Sequence, residues 1–202
     1  MGEQVRRYLF KRGNKLANLL ACSRQSVVRV GSYLFVHASI MKKFAEIFPG
    51  DSGIKKANQV IRKWILKLHR SNEKIQGTDI TVNDLLSNME VSPFWPRNLN
   101  LLPNNSNIDD EECDSQLRQI FDAYNIHGII VGHTVQNKKG GINLKCTGTL
   151  DNGQKTFIGL VDTGASKAFD HFNFTTLPEI LIIENNGLRV YKKNKNGKVD
   201  LF

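Results

Sequence analysis

The chain has 202 residues, 40% of them hydrophobic and 23% charged, with 28 Lys and Arg against 19 Asp and Glu. That balance suits one domain with a buried core and excludes a wholly disordered or collagen-like chain. The net charge of +9 favours an anionic partner such as a phosphate ester, a nucleic acid or acidic lipid headgroups. No apolar run approaches the ~18 residues of a membrane span. Arg6, Arg7, Lys11 and Arg12 near the N-terminus are not followed by an apolar stretch of signal-peptide type. A cytoplasmic location, cytosolic or nuclear, is therefore expected.

Residues 3–21 place Val5, Leu9, Leu16, Leu19 and Leu20 at roughly helical spacing, and Gly13 interrupts them, so one helix or two short ones fit equally. Residues 26–30 and 33–38 read as two strands joined across Gly31 and Ser32, a hairpin signal. Residues 54–68 give the clearest helix. Ile54, Ala57, Val60, Ile61, Trp64, Ile65 and Leu68 share one stripe, and Lys55, Lys56, Arg62, Lys63 and Lys67 lie off it. Such a helix can bind membranes or nucleic acid, although a surface helix with a solvated basic face is the commoner origin of the pattern.

Residues 81–88 predict a short helix, with Thr81 as N-cap and Asp84 in the capping-box position. Pro93 and Pro96 stiffen residues 92–98 into a loop, and residues 99–108 continue as an Asn-rich connection. The acids at 109–112 suit the start of a helix whose buried face is Leu117, Ile120, Phe121 and Tyr124. From Gly128 the period changes to that of strands: residues 128–132, a hairpin of 140–149 and 156–162 turning near Asp151, Asn152 and Gly153, and a hairpin of 179–184 and 188–192 through Asn185, Asn186 and Gly187. Residues 192–202 read as a basic, solvated hairpin or tail of a single domain spanning 1–202.

Cys22, Cys113 and Cys146 stand far apart, and no CxxC pair exists. A zinc finger has nothing to rest on, and three unpaired thiols in a reducing compartment are expected.

Two histidines follow short apolar runs and precede small residues: His37 in Tyr33-Leu34-Phe35-Val36-His37-Ala38-Ser39, and His133 in Ile129-Ile130-Val131-Gly132-His133-Thr134. Buried strands of that kind, side by side, would bring both imidazoles to one sheet edge, where α/β proteins bind ligands. Imidazole is the commonest metal ligand near neutral pH, and two are too few to close a site. Arg97 follows Trp95 and Pro96 in the stiff loop and is suited to gripping a phosphate. Val161-Asp162-Thr163-Gly164-Ala165-Ser166 ends a strand in Asp-Thr-Gly, but an aspartic protease needs two such carboxylates and this chain holds one. His69, His127 and His171 read as packed or exposed residues.

Taken in order, Phe-Val-His37, Ser92-Pro-Phe-Trp-Pro-Arg97, Val-Gly-His133-Thr and Val-Asp162-Thr-Gly-Ala-Ser resemble the second half of a calcineurin-like metallophosphoesterase. Within that superfamily they are most similar to the Shewanella-like protein phosphatases, over about residues 5 to 192. The resemblance implies an α/β fold, a mixed β-sandwich flanked by helices, with the N-terminal half of the fold missing. It implies His37 and His133 as ligands of one ion of a two-metal centre holding Mn, Fe or Zn, and Arg97 as the phosphate contact. Asp162 would lie near the site, supporting it rather than binding metal. The implied activity is hydrolysis of phosphomonoesters, phosphoproteins included, by metal-activated water.

The departures are equally specific. The family's Asp-x-His, Gly-Asp-x-x-Asp-Arg and Gly-Asn-His-Glu blocks do not occur, and Ala38-Ser39 replaces Gly-Gly, whose added atoms would crowd the site. The expectation is a chain incomplete by itself, its metals weakly held, from a split gene or a truncated gene model. The expected partners are a phosphorylated substrate and a second polypeptide supplying the first half. No membrane partner is expected, and nucleic acid is disfavoured for want of a helix-turn-helix, zinc finger or aromatic RNA-binding strand. The alternative is a non-catalytic binding protein that offers its basic surface to an anionic partner.

Overall fold

The turn at Gly31, with φ +57°, joins β1 (Val27–Val30) to β2 (Tyr33–Val36) as an antiparallel pair. The computed structural model describes residues 2–136, 141–150, 153–164, 179–184, 187–193 and 199–201. β2 runs parallel to β3 (Gly128–Val131), and β3 parallel to β5 (Lys155–Leu160), with β4 (Asn143–Thr149) antiparallel at the edge. The order is β1-β2-β3-β5-β4. Parallel neighbours need a crossover. The chain between β2 and β3 supplies it through α3 (Lys42–Ile47), α4 (Gly50–Ile65), α5 (Val82–Ser87), α6 (Asn98–Leu101) and α7 (Glu111–Tyr124). The crossover sends the C-terminal ends of β2 and β3 to the same edge of the sheet.

One face of the sheet, with Leu34, Val36, Ile129, Val131, Ile158 and Leu160, forms a continuous core with Phe44, Phe48, Ile61, Leu117 and Ile120 of the helices. β3 is buried on both faces, as its unbroken apolar sequence requires. Gly53 sits where an added Cβ would lie 2.0 Å from the Phe48 carbonyl carbon, so α4 approaches this backbone only because residue 53 is glycine. Tyr124 donates to the Phe48 carbonyl at 2.9 Å, tying α7 to the same point. The capping box at α5 forms as expected: Asp84 N donates to Thr81 Oγ1 at 3.2 Å and Thr81 N to Asp84 Oδ2 at 2.8 Å.

The N-terminal segment is two helices, α1 (Gly2–Leu9) and α2 (Lys15–Ser23), broken at Gly13 with φ +80°. α2 and α5 pack on α4, and α3 packs on α7. A second, antiparallel sheet of β6 (Glu179–Glu184), β7 (Gly187–Lys193) and β8 (Val199–Leu201) lies against the other face. Leu181 there approaches within 3.2 Å of the place a Cβ would take on Gly159. The architecture is thus mixed α/β with a mixed sheet. The expected hairpin residues 151, 152, 185 and 186, residues 165 and 166 of the Asp-Thr-Gly motif, and residues 194–198 of the basic run lie outside the described residues, as does His171.

Three differences from the sequence reading have physical causes. α4 begins at Gly50, four residues before its first apolar stripe position, with Asp51 in its first turn. α3 and α6 were not expected, because six and four residues are too few to establish a period. The expectation of three unpaired thiols is corrected: Cys113, in the first turn of α7, forms a disulfide with Cys146 of β4, and both are fully buried. They are 33 residues apart in sequence, but Asn107 bridges to Thr147 and Ile108 N donates to the Thr147 carbonyl, which lays the start of α7 across β4. Spacing along the chain carried no sign of that approach. Cys22 is free and exposed. The thiol argument for a reducing compartment therefore loses its premise. No helix among the described residues is long and apolar enough to cross a membrane.

Candidate metal and phosphate site

His37 follows β2 directly, and His133 follows β3 by one glycine. Gly132 N donates to the His37 carbonyl at 2.9 Å, which sets the two turns side by side. The result is the convergence the sequence suggested. His37 Nε2 lies 3.0 Å from His133 Nδ1, with ring centroids 4.7 Å apart at an interplanar angle of 60°. His37 is exposed and His133 half-buried. His133 adopts φ +64°, a left-handed conformation uncommon for a residue with a side chain and concentrated at functional sites.

The geometry fits two ligands of one ion. Nitrogens ~2.0–2.1 Å from a single metal stand about 2.9–3.4 Å apart at coordination angles of about 90–110°. His133 Nε2 is buried and finds no hydrogen-bond partner among the described residues. Burial, then the Arg97 charge, then His37 push the His133 pKa below the usual histidine value, with Asp162 pulling the other way. A neutral imidazole is the form that binds metal. No group of three His, Cys, Asp or Glu suited to a metal occurs among the described residues. The pair therefore fits part of a metal centre and does not close one.

Arg97 reaches the same turn. Its Nη1 donates to Thr134 Oγ1 at 2.8 Å and to the His133 carbonyl at 3.5 Å, and the residue is exposed. Ala38 N donates to the Pro93 carbonyl at 3.0 Å, fixing the proline loop to the end of β2. Ala38 and Ser39 are both buried. Asp162 sits one turn away: its Oδ1 accepts from Gly164 N at 3.1 Å and its carbonyl from Gln136 N at 2.7 Å, so it acts on His133 through charge while bonding its own turn. His69 pairs with Glu73, and half-buried His127 lies away at the start of β3.

Four contributors escaped the sequence reading. Trp95 sets its ring edge-on to His133, centroids 6.0 Å apart, and its indole N–H donates to the Leu86 carbonyl at 2.9 Å. Thr134 orients Arg97. Gln136 donates to Asn100 Oδ1 at 2.8 Å and to the Thr134 carbonyl at 2.7 Å. Buried Lys145 donates to the Asn100 carbonyl at 2.9 Å and to that of Leu102, holding the end of the short helix that follows Arg97. Trp95 and Thr134 lie within the motifs of Arg97 and His133, which is a usable signal. Lys145 had none, because a lysine in an alternating strand reads as solvent-facing.

Beside His37 the sheet forms a trough of about 490 Å³ lined by Val28, Phe35, Ile130, Val161 and Phe94.

The chain is 29% identical over 203 residues to an uncharacterized protein of Acanthamoeba polyphaga mimivirus, covering 96% of this chain and 78% of the relative. No protein-family pattern matches the chain, and no solved structure does.

Proposed function

We propose that this chain carries part of a two-metal phosphoesterase centre of the calcineurin-like type. In it His37 and His133 hold one divalent ion (Mn, Fe or Zn), and Arg97 grips the phosphate of a phosphomonoester substrate, phosphoproteins included. The observation that carries the reading is the 3.0 Å approach of the two imidazole nitrogens with the Arg97 guanidinium on the adjoining turn. The mixed sheet with a second sheet against Gly159 supports the fold assignment.

Metal ions held there would lower the pKa of a water and so supply a nucleophile near neutral pH. This chain's residues do the rest of what it can do. Arg97 offsets charge on the equatorial phosphate oxygens. Thr134 accepts from Nη1 and fixes the guanidinium, so less freedom is lost when phosphate arrives. Trp95 closes one side of the His133 ring.

Two imidazoles are fewer than the three protein ligands a catalytic ion ordinarily takes. The remaining ligands are assigned to a second polypeptide, and the apolar trough of Val28, Phe35, Ile130 and Val161 is the surface it would cover. A second reading, a non-catalytic binding protein using the same pocket for a phosphorylated partner, is favoured by the lack of a third ligand among the described residues.

Calorimetric titration with manganese or zinc, paired with hydrolysis of an aryl phosphate, tests both. Metal binding lost in His133→Ala, without turnover, is the expected result. Metal affinity equal in wild type and the His37→Ala/His133→Ala variant overturns the metal site. Turnover by the chain alone, abolished by His133→Ala, overturns its incompleteness. Phosphate binding that needs Arg97 but no metal favours the binding protein.

A further inference from the structure

Independently of the proposed centre, α1 presents an apolar face that nothing in the described structure covers. None of its residues is buried. Val5 is 49% exposed and Tyr8 69%, Leu9 completes the face, and Phe10 at its end is 54% exposed. At 100° per residue Val5, Tyr8 and Leu9 share one side of the helix, and Glu3, Arg6 and Arg7 take the other. On α2, Leu19 adds a further exposed apolar side chain at 61%.

The charge around this face has one sign. Residues 2–24 hold six basic side chains (Arg6, Arg7, Lys11, Arg12, Lys15, Arg24) and a single acid, Glu3. Glu3 is already neutralised by Arg7 at 2.8 Å. Arg12 points inward, over the Trp64 ring at 4.3 Å and donating to the Trp64 and His69 carbonyls. It anchors the segment to α4. Lys11, Lys15 and Arg24 are exposed.

We propose that α1 is a membrane-surface helix that docks the protein on a bilayer rich in anionic lipid. A short helix with an aromatic and aliphatic side, bordered by cations and anchored by its far end, has the composition of an in-plane interfacial helix. Anionic headgroups complement the cations, while Tyr8, Leu9 and Phe10 enter the headgroup boundary. A second copy of this chain fits poorly. Its identical cations would face these, and three side chains on an eight-residue helix fall short of the ~1,200 Å² a stable interface buries. The absence of a spanning segment, on which the expectation of no membrane partner rested, has no bearing on a helix that lies in the interface.

Sedimentation of the full chain with vesicles tests the proposal. Binding to phosphatidylserine-containing vesicles about tenfold or more above binding to pure phosphatidylcholine vesicles, weakened by salt, is expected. Tyr8→Ser/Phe10→Ser and, separately, Arg6→Gln/Lys11→Gln should each reduce it about tenfold. Because Arg6, Tyr8, Phe10 and Lys11 are all exposed, these variants should keep the wild-type circular dichroism and melting temperature, which separates lost docking from lost folding. Absence of binding to the anionic vesicles at low salt overturns the proposal. So does equal binding to neutral vesicles, DNA binding indifferent to the aromatic variants with no vesicle binding, or concentration-dependent self-association that the aromatic variants abolish.

Discussion

His37 and His133 are 96 residues apart in sequence, and their ring nitrogens lie 3.0 Å apart at one edge of the sheet. Parallel pairing of β2 with β3, register Val36 to Val131, sets the two strand ends side by side, and the left-handed turn at His133 carries its ring to His37. The metal affinity of the pair should depend on pH through His133. Burial and the Arg97 charge lower its pKa, so a proton on His133 itself competes with metal only below the usual histidine range, where its protonation should cost about tenfold in affinity per pH unit. The same shift acts on stability. The unfolded state takes up the proton first, so the contribution is fully present above the unfolded histidine value and is lost as pH falls through the lowered one. Zinc titrations between pH 5 and 8 check the first claim, and urea unfolding of wild type against His133→Ala checks the second. An affinity that is flat across that range contradicts the assignment.

Arg97 should discriminate sharply between its substitutes. Its bond to Thr134 fixes the guanidinium plane, so the two-point grip on a phosphate is what lysine cannot reproduce. Arg97→Ala should weaken binding of inorganic phosphate by about 10- to 100-fold, the worth of a charge-assisted hydrogen bond. Arg97→Lys should recover only part of it. Thr134→Val, which leaves the charge and removes its acceptor, should produce a smaller loss. Phosphorus NMR titration reads all three, and equal affinities across the series would remove Arg97 from the site.

The helix–strand outline was legible because its signals are local. The stripe of α4, the capping box at Thr81 and the Gly31 turn each depend on residues within a few positions of one another. The two histidines were legible for a related reason: strand, glycine or small residue, and imidazole form a contiguous string. The disulfide, Lys145 and Gln136 were not legible. Each is defined by what a distant segment brings to it, namely the start of α7 across β4 and the end of α6 over Lys145. The irregular register between Lys145 and Gly148 turns two consecutive residues, Lys145 and Cys146, inward, which strand alternation forbids.

The Cys113–Cys146 bond predicts a thiol count. Protein denatured without reductant should expose one thiol, Cys22, to an aromatic disulfide reagent, and denatured, reduced protein should expose three. Closing a loop of this length stabilises by about 3–4 kcal/mol in the chain-entropy picture. Cys113→Ala should therefore lower the unfolding free energy by roughly 2–4 kcal/mol. Three thiols in protein denatured without reductant would restore the unpaired reading.

Lys145 supplies the last prediction. It is 4% exposed, and its ammonium spends its donors on the carbonyls of Asn100 and Leu102, at the end of the short helix begun by Arg97. Lys145→Met keeps most of the apolar volume and leaves those carbonyls without their donor, so stability should fall by about 1–3 kcal/mol. Amide exchange at residues 98–102 should quicken, and phosphate affinity should drop with it although Lys145 lies outside the pocket. Burial lowers the Lys145 pKa, so the folded protein sheds this proton before the unfolded chain does. Wild-type stability therefore gains a component as pH rises from the lowered value to the ordinary lysine value. Lys145→Met should lack that component. Urea unfolding of both proteins from pH 7 to pH 10.5 measures it, and parallel curves would show that Lys145 is not the buried cation of this network.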